Sequence, residues 1–186
     1  MPASPKTSRT ELIDAALDVV EELGFGSLTM ARVAKKVGIQ APSLYNHFAD
    51  RKELLVAIEE RLFQEVTARF MEADDPDPYT ALRQMCFAFR AYALERPNCY
   101  SIMFVLDAMD TPKANEIRRR AIEPTLKHLT SLYGDDAFRR NRAITGFLHG
   151  FVSLEILHGF RLGTDPLESF SLGVDLLLGV PNEQAI

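Results

Sequence analysis

The residues best suited to chemistry stand close together between positions 40 and 52. Gln40, Ser43, Tyr45, Asn46 and His47 are followed by the cations Arg51 and Lys52. The first five can hydrogen-bond to base edges or phosphate oxygens, and the cations suit a phosphodiester backbone. Leu44 and Phe48, four apart, would hold one side of a short helix to a core, so Ser43, Tyr45, Asn46 and His47 project outward. Thr29 stands at the start of a preceding helix, where amides and the helix dipole favour a phosphate. Lys35 and Lys36 read as a solvated face of that helix. Other constellations are poorer. Glu155 and His158 have the Glu-x-x-His spacing of helical di-iron sites, but no second copy of it occurs. His149 and His158 lie about 180° apart around a helix and do not share an ion. Cys86 reads as core and Cys99, after Pro97 and Asn98, as more exposed. No metal, cofactor, phosphate loop or nucleophile constellation is expected, and no enzymatic activity.

Helices must position these groups, because nearly every segment has helical spacing and none alternates like a strand. A first helix begins at Ser8 with Glu11 as a capping-box pair, buries Leu12, Ile13, Ala16, Leu17 and Val20, and stops at Gly24. Thr29 caps a second helix with Val33, Ala34 and Val37 inside, ended by Gly38. Pro42 opens a third, running to about Phe48. Asp50 and Glu53 open a long helix to about Met71. Two helices of about eight residues joined through Gly38 match a helix-turn-helix, whose second helix enters the major groove. The proline-broken acidic stretch 73–78 is a linker. Beyond it, helices are expected at 79–95, 98–107, 113–133, 136–162 and 166–179, with a kink at Pro124.

The chain has 186 residues, of which 47 % are hydrophobic and 25 % charged, so a substantial core is available and disorder is excluded. The net charge of −5 conceals its distribution. Residues 1–55 hold seven basic and seven acidic side chains; the remainder carries 14 basic and 19 acidic ones. Within the first part the acids gather at 11–22 and the bases at 32–36 and 51–52, which predicts a surface with one basic face. No apolar run approaches the roughly 18 residues of a membrane span, the polar start lacks the apolar stretch of a signal peptide, and two cysteines are too few for a disulfide scaffold. A soluble, cytoplasmic protein is expected.

The block from Thr29 through Val33, Ala34, Gly38, Ile39, Ser43, Leu44, Tyr45, His47, Phe48 and Arg51 to Leu54 and Leu55 resembles the DNA-binding domain of TetR-family transcriptional regulators. The resemblance covers about residues 10–56. It implies an all-α protein with a three-helix DNA-binding domain at 1–55 and a helical ligand-binding and dimerisation domain at 56–186. It assigns phosphate contacts to Thr29, Tyr45, His47 and Arg51, and places Gln40, Ala41, Ser43 and Asn46 near base edges, where Ala41 offers only apolar contact. Residues 146–155 also resemble one C-terminal subgroup, through His149-Gly150, although no tryptophan precedes that pair.

The two last helices are apolar nearly all round and demand burial on two sides. A homodimeric four-helix bundle through Phe151, Leu154, Leu157, Leu172 and Leu176 answers this, and TetR-like proteins pair this way. A dimer would set two recognition helices in successive major grooves of a palindromic operator on double-stranded DNA. The middle helices supply Met85, Phe89, Tyr100 and Met109 besides Phe87, Tyr92, Met103 and Phe104. The last four, with Phe147 and His149, are the expected lining of a pocket for a small hydrophobic effector. Effector regulation and repression are implied by the resemblance, with the helix at 50–71 as the lever. The alternatives are a small-molecule binding protein without operator-specific function, and a helical metalloprotein.

Overall fold

The computed structural model describes residues 7–106, 111–163 and 165–179, so Met109 lies outside the described residues. Helices make up most of the described residues, and no strand occurs among them. Helix α1 (Arg9–Leu23) starts with the expected reciprocal cap: the Glu11 amide donates to Ser8 Oγ (3.1 Å) and the Ser8 amide to the Glu11 carboxylate (2.7 Å). Helix α2 (Met30–Lys36) is capped by Thr29, whose hydroxyl accepts from the Arg32 amide at 3.2 Å. Its end is a Schellman turn. Gly38 adopts φ +74°, its amide bonds to Lys35 O (3.2 Å), and the Ile39 amide bonds to Ala34 O (3.0 Å).

Helix α3 (Ala41–Leu44) is shorter than the expected run to Phe48. After Leu44 the amides of Tyr45, Asn46 and His47 bond three residues back, at 3.2, 3.3 and 2.9 Å, so the turn tightens into 3₁₀ form. That tightening delivers Phe48 to the core and leaves Asp50 free to cap helix α4 (Arg51–Glu72), through the Glu53 amide at 2.8 Å. Helix α5 (Pro78–Glu95) follows the acidic linker, with Asp77 accepting from the Thr80 amide at 2.8 Å. Next comes α6 (Pro97–Leu106).

Two expectations are corrected beyond this point. The single helix expected at 113–133 is a pair, α7 (Pro112–Ala121) and α8 (Glu123–Tyr133), broken at Ile122 because Pro124 has no N–H to donate and sits in the first turn of α8. Helix α9 (Ala137–Ile156) ends well before residue 162. His158 takes a left-handed φ of +53°, and the amides of His158 and Gly159 close on Glu155 O (3.0 Å) and Leu154 O (2.7 Å). Helix α10 (Pro166–Leu177) starts from an Asp165 cap.

The chain divides into two compact units: Met1–Phe63 with Arg96–Ile117, and Gln64–Glu95 with Arg118–Ile186. In the first, Leu12, Ala16, Leu17, Val20, Val33, Ala34, Leu44 and Phe48 are buried as expected, with Leu54 and Ile58 of α4, whereas Ile13 and Val37 are only half-buried. Helix α6 packs on α1 in this unit. The Glu21 carboxylate accepts from the amides of Asn98 (3.4 Å) and Cys99 (3.0 Å), so an acid of α1 caps α6. Cys99 is therefore fully buried, with Sγ 3.5 Å from Leu17 O, contrary to the exposure expected of it.

In the second unit α5, α8, α9 and α10 pack together. Phe170 is fully buried at the centre of an aromatic group, 5.2 Å from Phe87, 5.8 Å from Phe147 and 5.3 Å from Phe151. Above its ring the Arg90 guanidinium lies at 5.5 Å and grips the Glu155 carboxylate with two bonds, one of them 2.8 Å from Nε. Their side chains are only 16 % and 14 % exposed, so neither charge is well served by water. Arg90→Ala is expected to strand Glu155 and cost about 3 kcal/mol in urea unfolding; a loss below about 1 kcal/mol would mean the pair is screened like a surface bridge.

Candidate nucleic-acid interface

Residues 40–47 form an exposed edge on a buried footing. Leu44 and Phe48 are fully covered, whereas Gln40, Asn46 and Arg51 are exposed, and Ala41, Ser43 and His47 are half-buried. Gln40 occupies the cap position of α3 without a side-chain cap bond, so its amide group is left for other partners. Tyr45 is 53 % exposed. A tyrosine serving only to cover the three-helix core would have its ring against that core. Thr29 is exposed, and its hydroxyl can still donate while accepting from the Arg32 amide. The structure thus brings all eight expected DNA-facing residues into one compact unit, on α2, α3, the turn after it and the start of α4.

The even charge balance of this part resolves into paired and unpaired groups. On α1, Glu22 and Asp18 hold Lys36 at 2.8 and 3.6 Å, raising its pKa, and Asp14 holds Arg61 at 3.3 Å. Arg9 pairs with Glu53 at 2.8 Å. The Ala49 amide and the Arg9 guanidinium together hold the Glu53 carboxyl below the usual carboxylate range. Arg32, Lys35, Arg51 and Lys52 form no ion pair among the described residues. Arg32 instead donates to Ser27 O (2.9 Å), and the Arg51 guanidinium stands 5.6 Å from the Phe25 ring. Lys36 is thus neutralised by α1, while Lys35 stays free. The acids of α1 and Glu53 are spent on partners within the protein, and Arg32, Lys35, Arg51 and Lys52 stand without an ion pair in the same unit.

Of the expected effector-pocket residues, Met103 and Phe104 belong to the first unit; Phe87, Tyr92, Phe147 and His149 belong to the second. Phe87 and Phe147 are committed to the Phe170 group, and the hydroxyl of buried Tyr92 donates to Glu65 at 3.2 Å. His149 stands 3.5 Å from Ser153 Oγ, and burial pushes its pKa down. A cavity of about 440 Å³ in the second unit is lined by Phe70, Met71, Met85 and Pro124, with charged Asp74, Arg120, Glu123 and Lys127. Periodicity gave no signal for it, because its lining is drawn from α4, α5 and the α7–α8 break. Of the expected interface residues, Leu154, Leu157, Leu172 and Leu176 are 50, 73, 49 and 63 % exposed in the single chain. Phe151 differs: it is half-buried among Phe147, Phe160 and Phe170. Glu155, half of the Glu-x-x-His pair, is engaged by Arg90, and no cluster of metal-ligating side chains occurs among the described residues.

Comparison with known proteins accords with this geometry. Residues 12–58 match the family model for bacterial regulatory proteins of the tetR family, and residues 82–177 match that for the tetracyclin repressor-like C-terminal domain. An uncharacterised HTH-type transcriptional regulator of Mycobacterium tuberculosis, Rv0681, is 31 % identical over 160 residues, 81 % of this chain and 71 % of that protein. A Rhodococcus sp. RHA1 protein of unknown function has the same fold, with a TM-score of 0.82 at 20 % identity over 96 % of this chain and 97 % of that one. BioQ, solved with its double-stranded DNA operator, aligns with a TM-score of 0.70 at 21 % identity, covering 94 % and 97 % of the two chains. No described helix is long and apolar enough to cross a membrane. With both halves matched and the helix-turn-helix in place, the chain belongs to the TetR family and is a DNA-binding transcriptional regulator.

Proposed function

We propose that this regulator is a homodimeric repressor that occupies a palindromic operator and leaves it when a small, hydrophobic effector binds. The observation that carries the reading is the exposed edge of Gln40, Ser43, Tyr45, Asn46 and His47 on the buried footing of Leu44 and Phe48. Tyr45, Thr29, His47 and Arg51 anchor phosphates; Gln40, Ser43 and Asn46 meet base edges, with Ala41 in apolar contact. Residues 1–55 do the reading and residues 56–186 the sensing and pairing. The four exposed leucines of α9, its C-terminal turn and α10 support pairing, since a lone chain leaves that apolar surface in water. Helix α4 belongs in part to each compact unit, which suits it to carry the effector's preference for one head spacing over another.

Fluorescence-anisotropy titration against DNA flanking the protein's own gene, at several salt concentrations, tests the reading. A dimer touching about eight phosphates gives a log–log salt slope near −7 and prefers a palindrome to scrambled DNA. If selection from random DNA enriches no palindrome, the operator reading is wrong and a small-molecule binding protein is the better description. Tyr45→Ala is expected to weaken binding to all duplexes alike; a change confined to one base position would contradict phosphate anchoring. Asn46→Ala is expected to relax preference at one position per half-site by about 1–3 kcal/mol, measured on single-base operator variants. Leu172→Asp with Leu176→Asp should convert the dimer to monomer in sedimentation, and an undiminished dimer would remove α10 from the interface.

A further inference from the structure

The side chain of Arg9, at the start of α1, reaches the far end of the reading edge. The guanidinium lies 4.2 Å over the ring of fully buried Phe48. One terminal nitrogen donates to the His47 carbonyl, and the other donates to Glu53 Oε1 at 2.8 Å. The second Glu53 oxygen accepts from the Ala49 amide at 2.8 Å, and the Glu53 amide is itself held by Asp50 at 2.8 Å. One residue of α1 therefore fastens the carbonyl, the ring and, through Glu53, the amide of three consecutive residues, 47 to 49. The turn between Leu44 and Phe48 has little of its own to resist distortion. The amides of Tyr45, Asn46 and His47 make only the tightened three-back bonds, one four-back bond joins the Phe48 amide to Leu44 O, and the His47 carbonyl would otherwise depend on water.

We propose that Arg9 and Glu53 form a clamp that fixes the orientation of Tyr45, Asn46 and His47, making both positioning residues for sequence discrimination and not phosphate contacts. The inference rests on the reading of residues 40–47 as the base-facing edge. It runs against simple electrostatics at Glu53. This acid lies two positions after Arg51, so if only charge mattered its removal would strengthen binding to a polyanion. If the clamp matters, its removal frees the turn and weakens recognition of the correct sequence.

The test uses the full chain and two probes: a duplex enriched from random DNA by the wild type, and a scrambled duplex of the same composition. Arg9→Ala, Arg9→Lys and Glu53→Gln are titrated against both over a salt series, with thermal melting to establish folding and amide exchange read at residues 46–49. For each variant the affinity ratio between the two duplexes should fall about tenfold, comparable to one mismatched base pair, with the salt slope unchanged. Exchange should quicken at Phe48 and Ala49 but not along α1. Arg9→Lys keeps the charge and loses the two-pronged grip, so it should lose the ratio too; should Arg9→Ala fail to fold, Arg9→Lys and Glu53→Gln carry the same comparison. Three results overturn the clamp: an unchanged ratio, equal weakening on both duplexes with a slope shallower by about one, or tighter binding by Glu53→Gln on both. A wild type that enriches no duplex overturns the base-facing reading and the clamp with it, whereas an enriched duplex with unaffected variants overturns the clamp alone.

Discussion

Leu44 and Phe48 carry the DNA-reading surface, because a helix of four residues closes too few hydrogen bonds to persist alone. Everything between Gln40 and His47 takes its position from those two side chains and from the groups that close around them. Phe48 has the Arg9 guanidinium over its ring, and its amide returns to Leu44 O at 3.1 Å. With the footing buried and the 3₁₀ turn short, Tyr45 is lifted to more than half exposure on a rigid base. Recognition of DNA requires such pre-organisation, since each side chain ordered only on binding would subtract from affinity.

Charge pairing determines what that surface presents. A chain with more acids than bases is an unpromising ligand for DNA in bulk, but bulk charge is not what a phosphate meets. Glu11 caps α1 itself, the other acids of α1 are held by Lys36 and Arg61 or spent on capping α6, and Glu53 is turned toward Arg9. Left without an ion pair in this unit are Arg32, Lys35, Arg51 and Lys52. Exposed ion pairs of this kind add little to stability; their consequence here is that these carboxylates are offset by partners within the protein.

The second unit is organised differently, around Phe170 and a nearly dry ion pair. Arg90 touches the aromatic group with its planar face and Glu155 with its edge, a use of arginine that lysine could not reproduce. Phe87 and Phe147, which looked adaptable enough to greet an apolar ligand, pack against Phe170, and a cavity in the same unit has the cations Arg120 and Lys127 and the acids Asp74 and Glu123 in its lining.

Local structure was legible in the sequence wherever the cause is local. The Ser8–Glu11 cap, the Thr29 cap, the Gly38 turn, the Asp50 cap and most of the buried faces of α1 to α3 follow from side chains three or four residues apart, and these placed the helix-turn-helix. The errors have equally definite reasons. Helical periodicity continues past Ile156, yet the chain turns at His158 and Gly159; a left-handed histidine leaves no hydrophobic signature. Pro124 announces a bend, but whether a bend or a break results depends on packing. Cys99 looked exposed because its cover, Glu21 and Leu17, comes from α1 far earlier in the chain. The Arg9–His47–Glu53 contacts span 38 and 44 residues, and the Arg90–Glu155 pair spans 65. The amino-acid sequence by itself determined the helices, their caps, the family and the chemistry of the reading edge, because those depend on neighbours along the chain. Only the tertiary structure decided which charges are neutralised, which aromatics are free and what steadies the turn, because those depend on side chains that meet only when distant helices pack.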